Sequence, residues 1–232
     1  MYGYETKQEC IAIAGVDDLI IRSLLDQQQF FDPHGDAERM GISSALWPLF
    51  GLLWPSGAQL AARMGRRLIT PGERVLEIGC GLALSSLVAH RRGADVTASD
   101  CHPLTARFLG ANLGLNQLPP LPYRHAHWSN VLLPIARDNQ AADMVIAGRY
   151  DLIVGSDVLY ERDAEAMLPP FINEHTTDCA EIWIVDPDRG NRASFSRQMA
   201  NIGFRVHDER LDLQASPFQP AYKGRLLVYS RL

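Results

Sequence analysis

The stretch Arg74-Val-Leu-Glu-Ile-Gly-Cys-Gly-Leu-Ala83 constrains this chain more than any other. Its apolar half reads as a buried strand, its glycines as a tight turn, and the residues after them as the start of a helix. The next apolar run ends in Asp100, 21 positions after Gly79. That is the layout of a ligand site at the first crossover of a parallel sheet. Glycines let a backbone take positive φ and come close to a ligand. The helix start carries free N–H groups. A carboxylate at the end of the second strand can accept bonds from both hydroxyls of a ribose.

The same residues narrow the ligand. A dinucleotide turn would place a third glycine at position 84, which is Leu84. Glu77, two residues before Gly79, is poorly placed for a pyrophosphate and well placed for a cation. S-adenosylmethionine carries a sulfonium and an ammonium and no phosphate. Glu77, Gly79, Cys80 and Gly81, with Asp100 and Cys101 across from them, are therefore expected to bind it. Ala83 stands where a third small residue is needed.

Composition bounds the rest. A chain of 232 residues forms one domain with an extension, or at most two small ones. Its net charge of −5 argues against a general duplex-DNA binder, so no nucleic-acid partner is expected. Lys7 and Lys223 are the only lysines, a bias from which we draw no function. The four cysteines are scattered without a C-x-x-C pair, so neither a metal site nor a disulfide frame is expected. There is no apolar leader and no apolar run of the ~18 residues needed for a membrane span. A cytoplasmic location is the resulting expectation.

Along the chain, Cys10–Ala14 suggests a short strand. Leu19, Ile20, Leu24 and Leu25 suggest a helix over Asp17–Gln29. A loop covers Phe31–Asp36, then an aromatic segment broken by Pro48 and Pro55, then a helix near Ser56–Arg66. From Arg74 strands and helices alternate. Strands are expected at Val75–Cys80, Asp95–Ser99, Tyr123–His127, Asp151–Gly155 and Glu181–Asp186. Helices are expected at Ala83–Arg92, Pro103–Leu115, Ala164–Thr176 and Ala193–Ile202, the third kinked or divided at Pro169-Pro170. Arg205–Leu213 and Arg225–Ser230 read as a terminal hairpin. The fold expected is α/β: a doubly wound, mostly parallel seven-stranded sheet with an antiparallel end. Residues 1–60 read as an N-terminal extension packed on a core domain of residues 61–232.

Glu77-x-Gly79-x-Gly81, Asp100 and seven strands ending in a hairpin resemble the class I, seven-β-strand S-adenosylmethionine methyltransferases. That resemblance implies a Rossmann-like sheet of order 3-2-1-4-5-7-6 with helices on both faces. Ser156-Asp157-Val158-Leu159-Tyr160 resembles the D/E-x-x-Y/F segment of a narrower group, methyltransferase family 16, which methylates lysine and sometimes histidine side chains of proteins. Leu53-Trp-Pro-Ser-Gly57, His127-Trp128 and Asp186-Pro-Asp-Arg-Gly190 resemble further segments of that group. The resemblance implies methyl transfer to a protein side-chain nitrogen, lysine first, on a partner with an exposed lysine.

Methyl transfer is an in-line displacement that relies on positioning and needs no metal. A lysine amine, with a free pKa of ~10.4, must first lose its proton. Asp157, at the carboxyl end of the fourth strand, is the candidate to orient it; an N-cap for the next helix is the structural alternative. Tyr160 either walls the acceptor pocket or packs. Trp54 either closes over the methionine end of the cofactor or packs the N-terminal segment. Trp128 either lies against adenine or belongs to the core. Ser156 is assigned to the cofactor side. Arg189 is either structural or a contact for substrate main chain. Asp186 and Asp188 attract a cationic substrate or are simply solvated. The histidines at 125, 127 and 175 read as packing or surface residues. The segment after strand four lacks the N/D-P-P-Y/F pattern that handles conjugated amino groups, which disfavours adenine-N6 and glutamine acceptors. The alternatives left are a small-molecule N-methyltransferase, a non-catalytic cofactor-binding module and, least favoured, a nicotinamide-dependent oxidoreductase. Oligomeric state is not legible.

Overall fold

The structure is a computed structural model that describes residues 3–128, 146–159, 166–215 and 220–231. Its centre is a seven-stranded sheet. In chain order the strands are β3 (Arg74–Ile78), β4 (Asp95–Asp100), β5 (Tyr123–His125), β6 (Tyr150–Ser156), β7 (Thr176–Asp186), β8 (Arg205–Leu213) and β9 (Tyr222–Ser230). They lie in the order β5-β4-β3-β6-β7-β9-β8. Counted from β3, this is 3-2-1-4-5-7-6, as expected. The β3–β4, β3–β6, β4–β5 and β6–β7 pairs are parallel, whereas β9 runs antiparallel to both β7 and β8.

Both faces of the sheet are apolar because both are covered. Val75, Leu152, Val154, Val185 and Leu226 face one cluster, joined by residues of α2 (Pro55–Arg66), α3 (Leu84–Arg91) and α4 (Thr105–Leu115). Their neighbours Leu76, Ile153, Ile184 and Leu227 face the other, where α5 (Leu168–Glu174) and α6 (Arg192–Asn201) pack. The alternation is the period of two of a strand. α3 enters directly from the glycine turn, and Gly93 (φ 86) lies just past its C-terminus.

The N-terminus differs from expectation. Instead of a helix over Asp17–Gln29, the chain forms a hairpin of β1 (Thr6–Ile11) and β2 (Leu19–Leu24), with Thr6 opposite Leu24 and Ile11 opposite Leu19. Leu19, Ile21 and Ser23 are buried while Ile20 is exposed, a period of two rather than 3.6. The free edge of β2 is covered by two asparagines one turn apart, Asn112 in the last turn of α4 and Asn116 at its C-cap. Asn112 Oδ1 accepts from Arg22 N at 2.8 Å. Asn116 Oδ1 accepts from Ile20 N at 3.0 Å, and its Nδ2 donates to Ile20 O at 2.8 Å. Those side chains satisfy strand groups that would otherwise lie unpaired. A four-residue helix, α1 (Asp36–Arg39), and a 3₁₀ turn at Trp47–Gly51 complete the segment.

Two further expectations are corrected. Pro169 and Pro170 do not kink a helix; they lie in the first turn of α5, where their missing N–H groups cost no intrahelical bond. Thr176 ends no helix but opens β7, five residues earlier than the expected Glu181. The start of the helix expected at Ala164 lies outside the described residues.

Candidate active site

The turn after β3 is built from alternating left-handed residues. Gly79, Gly81 and Ala83 have φ of 55°, 49° and 58°. A side chain on Gly81 would meet the carbonyl oxygen of Phe50 at 2.8 Å, and one on Gly79 would meet Val158 at 2.9 Å. These two positions therefore need glycine for room as well as for φ. Ala83 takes the left-handed conformation with a Cβ, at a cost of about 1–2 kcal/mol.

Two buried carboxylates hold this turn. Asp100, 8% exposed at the end of β4, accepts from Gly81 N through Oδ2 at 2.9 Å and from His102 N through Oδ1 at 2.8 Å. Glu77, 3% exposed, accepts from Ser86 N at 2.9 Å and from the Ser86 hydroxyl. The free N–H groups expected at the helix start are thus partly used by the chain itself. Burial pushes both carboxyls above their ordinary range, against the opposing pull of those hydrogen bonds. Burial and the neighbouring Asp100 push the Cys101 thiol up to about 12, so it stays protonated.

The turn opens on a cavity of about 1050 Å³. Trp54, Glu77, Gly79, Cys80, Gly81, Asp100, Cys101, Trp128, Ser156 and Asp157 all line it. Tyr160 lies outside the described residues. Trp128 stands over the glycine turn, 3.7 Å from where a Gly79 side chain would be. Ser156 faces Gly57 at the start of α2, at 3.6 Å from its virtual Cβ. The Trp54 indole N–H donates to Leu49 O at 2.9 Å, which fixes the ring as part of the wall.

Sequence reasoning misses part of the lining. Met40, Ile42, Leu46, Leu49 and Leu52 supply an apolar wall from the N-terminal segment. His102 also lines the cavity; it stacks on Phe50 with centroids 3.7 Å apart, and burial holds its pKa near 3, so it is neutral. Its position two residues after Asp100 is the available signal.

At the ends of β6 and β7 lies a second cluster. Asp157 (φ 57) is 8% exposed, and neither of its oxygens receives a well-formed hydrogen bond from the described residues. Arg189 approaches Oδ1 at 3.2 Å and lies over the Trp54 ring at 5.5 Å. Ser56, whose hydroxyl is 2.9 Å from that of Tyr222, is also near. Burial raises the Asp157 pKa; Ser56 and Arg189 oppose it. Asp186 accepts from Asp188 N at 2.7 Å and is likewise pushed up by burial. Asp188 itself pairs with Arg192 at 3.3 Å and Arg225 at 3.6 Å, so it serves the turn and not the cavity.

The donor set on the glycine-turn side is two carboxylates, backbone and neutral His102, which suits a cationic ligand without phosphate. A seven-stranded sheet of this order, with this turn and an acid-ended second strand, defines the class of Rossmann-like S-adenosylmethionine methyltransferases. The ribosomal protein L11 methylase of Lactobacillus delbrueckii subsp. bulgaricus shares the fold, with a TM-score of 0.53 at 20% identity over 75% of this chain and 78% of that one.

The chain belongs to the lysine methyltransferase family, whose profile matches residues 51–199, more than half its length. It is 29% identical over 145 residues to the electron transfer flavoprotein beta subunit lysine methyltransferase of Danio rerio, covering 61% of this chain and 51% of that protein. It is 31% identical over 120 residues to a histone-arginine methyltransferase of Rattus norvegicus, covering 50% and 49%. The chain thus spans about half the length of the curated relatives it matches.

Proposed function

We propose that this protein transfers a methyl group from S-adenosylmethionine to a nitrogen of a protein side chain, lysine before arginine. The observation that carries the reading is the cavity joining the Glu77–Asp100 turn to Asp157. The cofactor supplies a methyl activated on sulfur. Glu77 and Asp100 would hold its cationic and ribose parts, and Cys101, His102 and Trp128 would flank its adenosyl end. Residues 1–60 act as an extension that supplies the apolar wall, along which the methylene stem of a lysine can lie. Asp157 would orient the amine. Nitrogen attacks the methyl carbon, the C–S bond breaks, and its electron pair stays on sulfur, leaving a thioether. A lysine ammonium gives up its proton to solvent before attack, which desolvation in the cavity favours.

The lysine family profile and the flavoprotein-modifying relative support lysine. The histone-arginine relative keeps arginine as the second reading. The scattered cysteines favour a reducing compartment, the cytoplasm.

The test is to incubate a lysate of a host lacking this gene with the pure protein and methyl-labelled S-adenosylmethionine. Label in a discrete protein, recovered as methyl-lysine after hydrolysis, is expected. Label confined to small molecules would overturn the protein acceptor. No transfer and no cofactor binding by calorimetry would overturn the enzyme.

A further inference from the structure

At the ends of β6 and β7, Arg189 has no part in the methyltransferase reading. Asp157 is a buried carboxylate that opens on the cavity, and an aromatic face, Trp54, lies close by. A carboxylate and an indole face together form a cation site. That site is filled, by a residue of the chain itself. The guanidinium of Arg189 sits 3.2 Å from Asp157 Oδ1 and 5.5 Å from the Trp54 ring centre.

Arg189 is not held there as a permanent partner would be. Structural arginine–carboxylate pairs are commonly bidentate. Here one nitrogen approaches one oxygen, and no well-formed hydrogen bond results. The side chain is 39% exposed. It is carried on the turn Asp186–Gly190, whose φ angles at Asp188 (65°) and Gly190 (97°) turn the backbone sharply on either side of it. Among the described residues, nothing lies within 4 Å of where a Gly190 side chain would be. Arg192 and Arg225 are engaged by Asp188 and Asp208, which leaves Arg189 as the arginine of this turn that faces the cavity.

We propose that Arg189 is an internal stand-in for the acceptor: its guanidinium occupies the cation site formed by Asp157 and Trp54, and an incoming primary alkylammonium displaces it. This rests on the reading that the cavity takes an amine-bearing acceptor, and it adds how that acceptor is admitted. Exchanging one cation for another keeps the buried carboxylate neutralised while the acceptor enters, before its amine loses a proton. Adding a second cation beside the first would bring two like charges together in a weakly screened site. The device also selects. A neutral or anionic group cannot replace the guanidinium without leaving Asp157 unpaired and buried, a costly state.

The experiment measures binding of n-butylammonium, a probe for the end of a lysine side chain, by calorimetry. It compares wild type, Arg189→Ala, Arg189→Gln and Arg189→Ala/Asp157→Asn, with and without S-adenosylhomocysteine. Removing Arg189 is expected to tighten butylammonium binding at least tenfold, in both single variants. Adding Asp157→Asn is expected to abolish that gain. If both single variants, shown folded by thermal melting, bind the probe no better than wild type, the stand-in role is overturned; Arg189 is then a support for Asp157. A gain that survives Asp157→Asn overturns it as well, because the cation would be binding elsewhere. S-adenosylhomocysteine titrated into wild type is a separate readout. Its failure to bind would remove the methyltransferase reading while the butylammonium comparison still decides the fate of Arg189.

Discussion

The two ends of the cavity are built on opposite principles. At the glycine turn, both carboxylates are tied into the backbone: Asp100 by Gly81 and His102, Glu77 by Ser86. At the β6–β7 end, Asp157 is as buried but, among the described residues, has one loose ion pair, Ser56 nearby and no well-formed hydrogen bond. The first end is shaped before its ligand arrives. The second keeps an unsatisfied group in reserve, held by a side chain that can leave. The contrast matches the tasks assigned to them, since a cofactor is the same in every turnover and an acceptor must be admitted and released. Groups left partly unsatisfied in a low dielectric are costly, so a chain that carries one at a cavity has a use for it.

Breaking the rigid end gives the largest expected effect. Gly81→Val puts a branched side chain against a backbone carbonyl at 2.8 Å and forces it to hold φ 49°. Strain and overpacking together are expected to cost about 2–4 kcal/mol, read as a lower midpoint in urea unfolding. Unfolding at the wild-type midpoint would mean the turn is pliable and the contrast false.

Asp100→Ala comes next. It removes two backbone hydrogen bonds and the acceptor expected for ribose, so S-adenosylmethionine binding should weaken by about 1–3 kcal/mol. An unchanged Kd in calorimetry would take Asp100 out of the cofactor site. Asp157→Asn acts on the other end. Transfer of label to the acceptor should fall about tenfold to a hundredfold through lost orientation, with cofactor Kd unaltered. Full turnover would leave Asp157 as a structural residue only.

Much of the rigid end is legible in the sequence, and little of the loose end is. Strand, turn, helix and terminal acid lie within one run from Arg74 to Asp100, so spacing alone places them. Arg189 and Asp157 are 32 positions apart. They meet because β6 and β7 are neighbours in the sheet and both end at the cavity, which no local pattern records. The N-terminal hairpin escapes a local reading for a different reason. Leu19, Ile20, Leu24 and Leu25 satisfy a helical period, but what decides the matter is α4, whose Asn112 and Asn116 cap the strand edge from some 90 residues away. Tertiary partners, not propensity, select the strand.

The pH response should separate the two ends further. Burial raises the pKa of Asp157 from its ordinary value of 3.8. The folded state therefore binds that proton more tightly than the unfolded state. Its contribution favours folding below the ordinary value and is lost as pH rises through the folded one. The difference in melting temperature between Asp157→Asn and wild type should accordingly move in favour of the variant as pH is raised from about 4 towards neutrality. Taking the difference cancels the ion pairs common to both proteins. A difference that is flat with pH would mean Arg189 already compensates the buried charge in full, and the carboxylate would hold nothing in reserve.

The smallest effect tests strain inside the rigid end. Ala83 is fully buried with φ 58°, in a turn whose other two left-handed positions are glycine. Ala83→Gly relieves the Cβ clash of that conformation, about 1–2 kcal/mol. It forfeits a buried methyl, about 0.8 kcal/mol, and adds backbone freedom to the unfolded chain, roughly 0.5–1 kcal/mol. These terms nearly cancel, so stability should change by no more than about 0.5 kcal/mol. Cofactor affinity is the sharper readout. If the alanine methyl only packs behind the turn, the Kd for S-adenosylmethionine should stay within about twofold. A marked tightening would show that the methyl intrudes on the ligand, and that this turn exchanged room for packing at its third position.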